Sequence, residues 1–408
     1  MPHYRDIKNL AQDISDWADL REEQGLKIKP IIRRLIKDLK YARKELSKAE
    51  PTKKILKKEP NDLNAIKAVR PDGPRRMWDK LPSKGLRDRM KGAWLGRAAG
   101  CTLGAPVEFW SVADMENLAK QCKMPFPPKD YWTGHPNPDR IRYLLSPVSD
   151  YLKKNMNHLP VDDDLTYTLL GLLILEEYGP SFTVEDVGKA WVKYLPMACT
   201  AEEVALKNLK AGIPASEAGA TNNPYQEWIG ADIRSDPWAY AAPGWPEKAA
   251  ELAYRDAYLS HRQNGIYGEM FFSAAIAAAF ALDDPVEALK VGLTEIPKKC
   301  RLAKDIQWAL EVGPTLNDHR EARAAMDAQF PDMHHVHTNN NACLTIFGLI
   351  MGQKDFTKTI GLTVAMGMDN DCTAATAGSL LGAILGASNI PEHWYKPFQN
   401  KTRTYMID

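Results

Sequence analysis

Six carboxylates that could act together stand at three places in the sequence: Glu108, the triplet Asp162, Asp163 and Asp164, and the pair Asp369 and Asp371. Adjacent carboxylates repel one another unless water or a bound cation separates their charges. Clusters that offer only oxygen ligands suit hard divalent ions such as Mg²⁺, with Mn²⁺ as an alternative. The pattern therefore predicts a metal site.

Two simpler interpretations of these residues are available. Both aspartate groups stand just before a predicted helix, where a single Asp commonly caps the helix N-terminus. Capping explains one Asp in each group but not three in a row. A calcium-binding EF-hand loop that starts at Asp369 would need glycine at position 374 and glutamate at position 380, where the chain has Ala374 and Leu380. Metal binding outside an EF-hand is the interpretation that remains.

Two glycine rows accompany the first and last acidic groups, and they are Gly92, Gly96, Gly100 and Gly104, then Gly378, Gly382 and Gly386. Glycine inside a helix costs about 1 kcal/mol relative to alanine. A row at four-residue spacing therefore indicates that another backbone packs closely against that face. The rows predict two tightly packed central helices, which could pack against each other. A phosphate-binding GxGxxG loop is excluded because the spacing is different and no strand precedes it.

The remainder of the chain beyond residue 86 also has a helical pattern. Residues 165–175, 270–282 and 342–351 are typical of buried helices, and no alternating strand series is present. Residues 212–268 are rich in Pro, Gly and Trp, which predicts long loops over a helical core. We therefore expect an all-α fold.

The N-terminal part differs in charge and pattern from the rest. Apolar residues at three- and four-residue steps predict an amphipathic helix over residues 28–46, and residues 67–85 read as a linker. Residues 1–90 carry 24 basic and 14 acidic residues, a net charge of +10 against −9 for the remainder. We expect a basic helical extension over residues 1–85 and a catalytic domain over 86–408. The basic face could bind nucleic acid or a membrane, but a solvated face on a helix docked by its apolar stripe is favoured.

Composition bounds the class of protein. Hydrophobic residues make up 44% and charged residues 26% of the 408 residues, which excludes a disordered or fibrous chain. The six cysteines are scattered without a CxxC pair, so neither a disulfide framework nor a thiolate zinc site is indicated. The chain has no apolar run of about 18 residues and no signal-peptide core. A cytoplasmic location without membrane contact is the expectation.

The acidic segments, taken in order, resemble the ADP-ribosylglycohydrolase family. The family's G-[small]-x-L-G-x-P-x-E element is similar to GRAAGCTLGAPVE, which ends at Glu108, and its T-D-D-T element falls on Asp162–Leu165. Its closing G-x-D-x-D-T falls on Gly367–Cys372, and two further matches are SHRQNGIYGEM and the stretch from Asn341 to Phe356. The resemblance covers about residues 86–395. It implies a compact helical bundle and a dinuclear Mg²⁺ centre that cleaves a ribosyl N- or O-glycosidic bond.

The resemblance also implies roles for individual residues. One ion would be held by Asp162, Asp163, Asp164 and Asp371, and the other by Glu108, Asp369 and Asp371. Asp371 would bridge the ions, Asp163, Asp164 and Glu108 would be the catalytic carboxylates, and Glu108 would be a mobile ligand. Two metal-ligating threonines of the family are replaced by Asp162 and Cys372, and the aspartate of its G-D-A-L-G by Cys101. A thiol is a poor Mg²⁺ ligand, so Cys372 is expected to weaken one ion.

The substrate pocket is less well defined by the sequence. His261, Asn264, Gly265 and Tyr267 are candidates for binding the sugar and base, although buried structural roles explain a tyrosine and a capped histidine equally well. The HHVH run at residues 334–337 lacks a partner pair for zinc. The expected partner is an ADP-ribosylated or otherwise ribosylated small molecule or macromolecule, with nucleic acid binding through the basic extension not favoured. The alternative function is a catalytically weak protein that binds ADP-ribose-type ligands or acts as a scaffold.

Overall fold

The computed structural model describes residues 5–49 and 51–407, and these fall into two compact units. The smaller unit comprises the residues up to Lys57 together with Phe330–His334. The larger unit comprises Lys58–Gln329 and the residues from His335 onward. All six carboxylates belong to the larger unit.

The smaller unit is helical and highly exposed. Its helices are α1 (Arg5–Glu23), α2 (Lys29–Ser47) and α3, which runs from Lys53 to Lys58 at the edge of the unit. The predicted amphipathic helix is confirmed as α2, with a proline in its first turn, where no backbone donor is needed. No residue of α2 is buried, and Leu46 is 74% exposed. What the apolar stripe of α2 packs against stays a prediction.

The larger unit is built almost entirely of helices, which confirms the all-α prediction. Its α-helices are α4 (Leu63–Val69), α5 (Leu86–Gly104), α6 (Val112–Gln121), α7 (Asp163–Tyr178), α8 (Val184–Tyr194), α9 (Thr200–Lys210), α10 (Ala215–Ala218), α11 (Asp236–Ala241), α12 (Pro246–Ala257), α13 (Asn264–Ala279), α14 (Pro285–Leu293), α15 (Arg301–Val312), α16 (His319–Gln329), α17 (Thr338–Gly352), α18 (Phe356–Ala365) and α19 (Asn370–Leu385). Its 3₁₀ turns are Ala105–Val107, Val148–Tyr151, Ile229–Arg234, Gly313–Thr315, Ala387–Asn389, Glu392–Trp394 and Lys396–Phe398. A short antiparallel hairpin is formed by β1 (Ile141–Arg142) and β2 (Ser146–Pro147). No helix among the described residues has the length and apolar character needed to cross a membrane.

The centre of the larger unit is the contact between α5 and α19. A Cβ atom on Gly92 would lie 2.4 Å from the carbonyl oxygen of Gly382, and one on Gly100 would lie 2.0 Å from that of Ala374. The contact pairs run in opposite directions along the two helices, so the helices are antiparallel. The two glycine rows therefore do pack against each other, because only glycine lets two backbones approach this closely.

The stretch from residue 212 to 268 differs from the expected long loops. It contains α10, α11 and α12 as well as a 3₁₀ turn. Pro237 and Pro246 lie in the first turns of α11 and α12, where a proline starts a helix rather than ending one. These two prolines are therefore helix N-terminal signals.

Residues 70–85 are irregular, as the linker prediction requires, but they are attached to the larger unit. Arg70 and Arg75 both form ion pairs with the buried Glu295, and the Met77 amide donates a hydrogen bond to the Gly244 carbonyl at 2.7 Å. This segment is fixed in place before α5 begins. The predicted division of function at residue 85 stays a prediction.

Candidate active site

The close packing of α5 and α19 brings the first and last acidic groups together. A Cβ on Gly104, the last residue of α5, would lie 2.5 Å from the Cα of Asp371. One 3₁₀ turn later the chain reaches Glu108. The next amide, that of Phe109, donates a hydrogen bond to the Met368 carbonyl at 3.0 Å, which ties the loop of Glu108 to the loop of Asp369. Glu108, Asp369 and Asp371 thus meet at one end of the glycine contact.

The aspartate triplet is brought to the same place by α7. Asp162 is the N-cap residue of this helix and accepts a hydrogen bond from the Asp164 amide, so the capping interpretation is correct for one of the three. Arg97 of α5 donates to the carboxylate of Asp164 at 3.1 Å and to its carbonyl at 2.8 Å, and it also donates to Thr168. The N-termini of α7 and α19 both point at the cluster, and their partial positive charges favour carboxylates there.

Three groups of potential metal ligands result, each with ligand atoms within 4.8 Å of one another. They are Glu108 with Asp369 and Asp371, Asp164 with Asp371 and Cys372, and Asp162 with Asp164 and Cys101. Asp371 belongs to two groups, which is the position that the predicted bridging role requires. Asp163 lies beside these groups, with one oxygen accepting a hydrogen bond from the Tyr143 hydroxyl at 2.6 Å.

Burial dominates the electrostatics of the cluster. It raises the pKa of Glu108 to about 7, with the nearby Asp371 adding to the effect and Arg142 opposing it. Burial also raises the pKa values of Asp162, Asp164 and Asp369 well above their usual range, and that of Asp163 to a lesser degree. So many buried carboxylates cannot all be ionised without compensating positive charge. The cluster therefore favours the binding of cations.

Whether a metal ion fits the cluster can be judged from the hydrogen bonds of the Asp369 carboxylate. Asp369 is 4% exposed and stands at the N-cap position of α19, yet its side chain caps no amide. Its Oδ1 has no hydrogen-bond partner among the described residues. A buried carboxylate oxygen without a donor is costly unless a cation occupies the space before it. The residues present therefore fit a hard cation beside Asp369.

Cys372 points into the cluster rather than into the surrounding core. Its thiol donates to Oδ2 of Asp164 at 3.1 Å. Burial and then the charge of Asp164 raise the pKa of this thiol, so it stays protonated and acts as a donor. Burial and then the charge of Asp162 raise the pKa of Cys101. Neither residue offers the thiolate that a metal would require.

Arg142 is the residue of the site that the sequence did not reveal. Its guanidinium lies inside the acidic cluster and donates to Glu108 at 2.5 Å and to Asp162 and Asp371 at 3.0 Å each. Burial alone would lower the pKa of Arg142, but Glu108, Asp162 and Asp371 outweigh it and raise the pKa above its usual range. The segment around Arg142 has no pattern that sets it apart from a polar surface loop. Only the folded chain brings it to the carboxylates.

Comparison with known proteins agrees with this arrangement. The family model of the ADP-ribosylglycohydrolases matches residues 82–407, which is most of the chain. The chain belongs to the ADP-ribosylglycohydrolase family. Because of this membership, the chain is a glycosyl hydrolase. Members of the family are metal-dependent, and this chain has acidic groups that could hold a metal ion.

A solved structure described as an "ADP-ribosylglycohydrolase-related protein complex" has the same fold. It is 21% identical to this chain, with a TM-score of 0.54 over 77% of this chain and 93% of its own length. No curated protein matches the chain. The ADP-ribosylglycohydrolase fold thus accounts for the whole region that carries the carboxylates.

Of the four predicted substrate-binding residues of this ADP-ribosylglycohydrolase, three lie in the first turns of α13 and His261 lies three residues before it, and all four are buried. Tyr267 donates to the Pro60 carbonyl at 2.6 Å, and Asn264 donates to Glu227 at 2.7 Å. Gly265 packs on the Gln226 carbonyl, from which a Cβ would be only 2.4 Å away. These contacts give each residue a structural role, and their part in substrate binding stays a prediction.

His261 is the member of this set with an unused polar atom. Its Nδ1 is 2.8 Å from the Ser260 hydroxyl, and its Nε2 has no hydrogen-bond partner among the described residues. Burial, followed by the charges of Arg234 and Arg262, lowers its pKa well below the usual range, so the ring is neutral. A neutral ring could act as a hydrogen-bond donor or acceptor to a ligand.

The HHVH run does not form a zinc site with its neighbours. His337 is the N-cap residue of α17 and accepts a hydrogen bond from the Asn339 amide at 3.2 Å. His335 packs edge-on against Phe109, beside Glu108, with ring centroids 5.3 Å apart. None of the metal-ligand groups found within residues 5–49 and 51–407 contains a histidine.

Proposed function

We propose that this ADP-ribosylglycohydrolase hydrolyses a ribosyl N- or O-glycosidic bond in an ADP-ribosyl or nucleoside-like substrate, with Mg²⁺ as its cation. The observation that carries the proposal is the buried, unpartnered oxygen of Asp369 within the group that it forms with Glu108 and Asp371. These three side chains would hold the ion. A bound Mg²⁺ would supply Lewis acidity and a template for the ribose hydroxyls.

Glu108 and Asp163 are the carboxylates placed to meet a substrate. Both are half-buried, whereas the other four carboxylates are buried. The side chain of Glu108 is 20% exposed, and only one of its oxygens is bonded to Arg142. The other oxygen of Glu108 could therefore accept a proton from an attacking water. Glu108 is therefore our candidate for the general base, in line with its expected mobile role.

The remaining carboxylates position the site rather than react. Asp164 is held by Arg97 and Cys372, and Asp162 is held by the Asp164 amide and Arg142. Asp164 was a candidate catalytic carboxylate, but both of its oxygens already accept hydrogen bonds.

The test is a hydrolysis assay with Mg²⁺ on arginine- and serine-linked ADP-ribosyl peptides and on a set of nucleosides. We expect release of ADP-ribose or ribose, detected by mass spectrometry, and its loss when EDTA is added. Asp371→Asn serves as the inactive control. No product from any of these substrates with either Mg²⁺ or Mn²⁺ would contradict the proposal.

The second candidate function is binding of an ADP-ribose-type ligand without turnover. It is favoured by the guanidinium of Arg142 among the carboxylates and by the absence of a hydroxyl at position 372. Calorimetric titration with ADP-ribose, combined with the hydrolysis assay, distinguishes the two candidate functions. Binding of ADP-ribose without hydrolysis of any ADP-ribosyl peptide would support the second.

A further inference from the structure

Arg142 joins all three acidic segments through one side chain. Its Nη1 donates to Glu108 on the loop after α5, and its Nη2 donates to Asp162 before α7 and to Asp371 in α19. Nη1 also donates to the Ala105 carbonyl at 2.9 Å. A guanidinium that bridges carboxylates from separate elements has the position and the charge that a cation would have in such a cluster.

The hairpin that carries Arg142 is held in a costly conformation. Tyr143 and Leu144 follow Arg142 with φ values of 49° and 60°, in the left-handed region that non-glycine residues rarely adopt. The Leu145 amide closes the turn on the Arg142 carbonyl at 3.1 Å, while Leu144 is 81% exposed. Such a turn persists only if other contacts stabilise it, and the inserted side chain of Arg142 provides them.

Aromatic contacts fix the guanidinium further. It lies 5.3 Å from the ring centroid of Tyr143 and 5.5 Å from that of Tyr151. The Tyr143 hydroxyl donates to Asp163, and its ring stacks on Tyr405 at 5.7 Å. The side chain of Arg142 is 7% exposed, so it belongs to the buried interior of the protein and not to its surface.

Protein donors already satisfy both oxygens of two residues of the triplet, Asp162 and Asp164. The two oxygens of Asp162 accept from the Asp164 amide and from Arg142. Those of Asp164 accept from Arg97 and from the Cys372 thiol. At the other end Asp369 keeps an oxygen with no donor among the described residues. A bound cation would therefore stabilise the end with Asp369 more than the end with Asp162 and Asp164.

We propose that Arg142 takes the place of one of the two cations expected in this family, so that the protein binds a single divalent ion on Glu108, Asp369 and Asp371. This inference rests on the proposed function, since it concerns the same site. A second divalent ion at the triplet would stand against a fixed positive charge in a medium of low dielectric constant, which disfavours its binding. Arg142, paired with Asp162, and Arg97, paired with Asp164, are the fixed positive charges at the triplet, and Arg142 is thus a positioning residue there.

The experiment is a titration of metal-free full-length protein with Mn²⁺, with the number of bound ions measured by calorimetry and elemental analysis. Electron paramagnetic resonance then distinguishes an isolated Mn²⁺ ion from an exchange-coupled pair. We expect one isolated ion in the wild type and a coupled pair in Arg142→Ala. Arg140→Ala is the matched control, because Arg140 is an exposed arginine two residues away. It should behave as the wild type.

The wild-type titration decides the matter even if Arg142→Ala fails to fold. Two bound ions in the wild type would overturn the inference and leave the proposed function intact, because Arg142 would then be displaced by metal. No bound ion would overturn both. A folded Arg142→Ala protein that still binds one ion would show that the guanidinium does not exclude the second, and it would also overturn the inference.

Discussion

Gly96 of α5 and Gly378 of α19 are in backbone contact, and a Cβ on Gly96 would lie 2.1 Å from the carbonyl oxygen of Gly378. The reverse distance, from a Cβ on Gly378 to the Gly96 oxygen, would be 2.2 Å. Since neither backbone can move without displacing its whole helix, this contact determines how closely Glu108 and Asp371 approach.

Gly96→Ala is therefore expected to destabilise the protein by about 3 kcal/mol, because the added methyl group overpacks a backbone contact. The measurement is the free energy of unfolding in denaturant. Gly134→Ala is the control, since its Cβ would meet only the Cys122 sulfur at 3.3 Å. Equal stability of both variants would show that the helices can separate without cost.

Asp371→Asn is expected to reduce turnover at least tenfold while the fold stays intact. The substitution removes one charge from a residue shared by two ligand groups, but an amide oxygen can still accept from Arg142. Activity and Mn²⁺ affinity are measured together with the thermal midpoint. Retention of more than a tenth of the activity would argue against a bridging role.

Cys372→Thr is informative in the background of Arg142→Ala. A hydroxyl near Asp164 offers an oxygen ligand where the thiol offers none. We expect the second Mn²⁺ ion to bind several-fold more tightly in this double variant than in Arg142→Ala alone. Cys372→Ala in the same background controls for the loss of the thiol. The same affinity with Thr and with Ala at position 372 would show that this side chain does not reach the ion.

Two truncated chains test the structural roles of residues 1–57 and of residues 58–84. A chain starting at Lys58 retains the ion pairs of Arg70 and Arg75 with Glu295, and it should fold and bind Mn²⁺. A chain starting at Gly85 loses both arginines and leaves the buried Glu295 without a counter-charge, which should cost about 3 kcal/mol or more. Circular dichroism and thermal unfolding of the two chains provide the comparison. If both chains are equally stable, residues 58–84 are a simple tether.

The raised pKa of Glu202 leads us to expect that the free energy of unfolding depends on pH. Burial raises its pKa to about 7, opposed by the charge of Arg234, whereas its value in the unfolded chain is about 4.5. Between these pH values the folded chain keeps a proton that the unfolded chain has lost, so this group makes stability fall as pH rises from about 4.5 to 7. Its contribution is about 3 kcal/mol over that range.

Glu202→Gln removes the titrating group and keeps an oxygen that can accept from Arg234 at a similar position. The free energy of unfolding should therefore fall less between pH 5 and pH 8 in the variant than in the wild type. Glu203→Gln, on the exposed side of the same helix α9, is the matched control. Parallel pH profiles for the wild type and Glu202→Gln would contradict this assignment.

The sequence by itself determined the helical class, the close backbone packing at each glycine row and the six carboxylates, whereas the structure showed that the two rows pack on each other. Each of these depends on a local rule: glycine at four-residue spacing marks one helix face, and consecutive aspartates need water or a cation to separate their charges. The helices within 212–268 were not predicted because proline is common both in loops and in the first turn of a helix. Composition alone does not distinguish these two positions.

Only the tertiary structure decided what neutralises the acidic cluster. Arg142 lies 20 residues before Asp162 in a segment without regular periodicity, and its contact with Asp371 spans most of the chain. Cys372 likewise could have faced the core or the cluster until the position of α19 against α7 was known. Contacts between distant segments depend on how helices pack, and no local pattern encodes which guanidinium fills a given space. The carboxylates of this site could therefore be predicted from the sequence, whereas the guanidinium that lies among them could not.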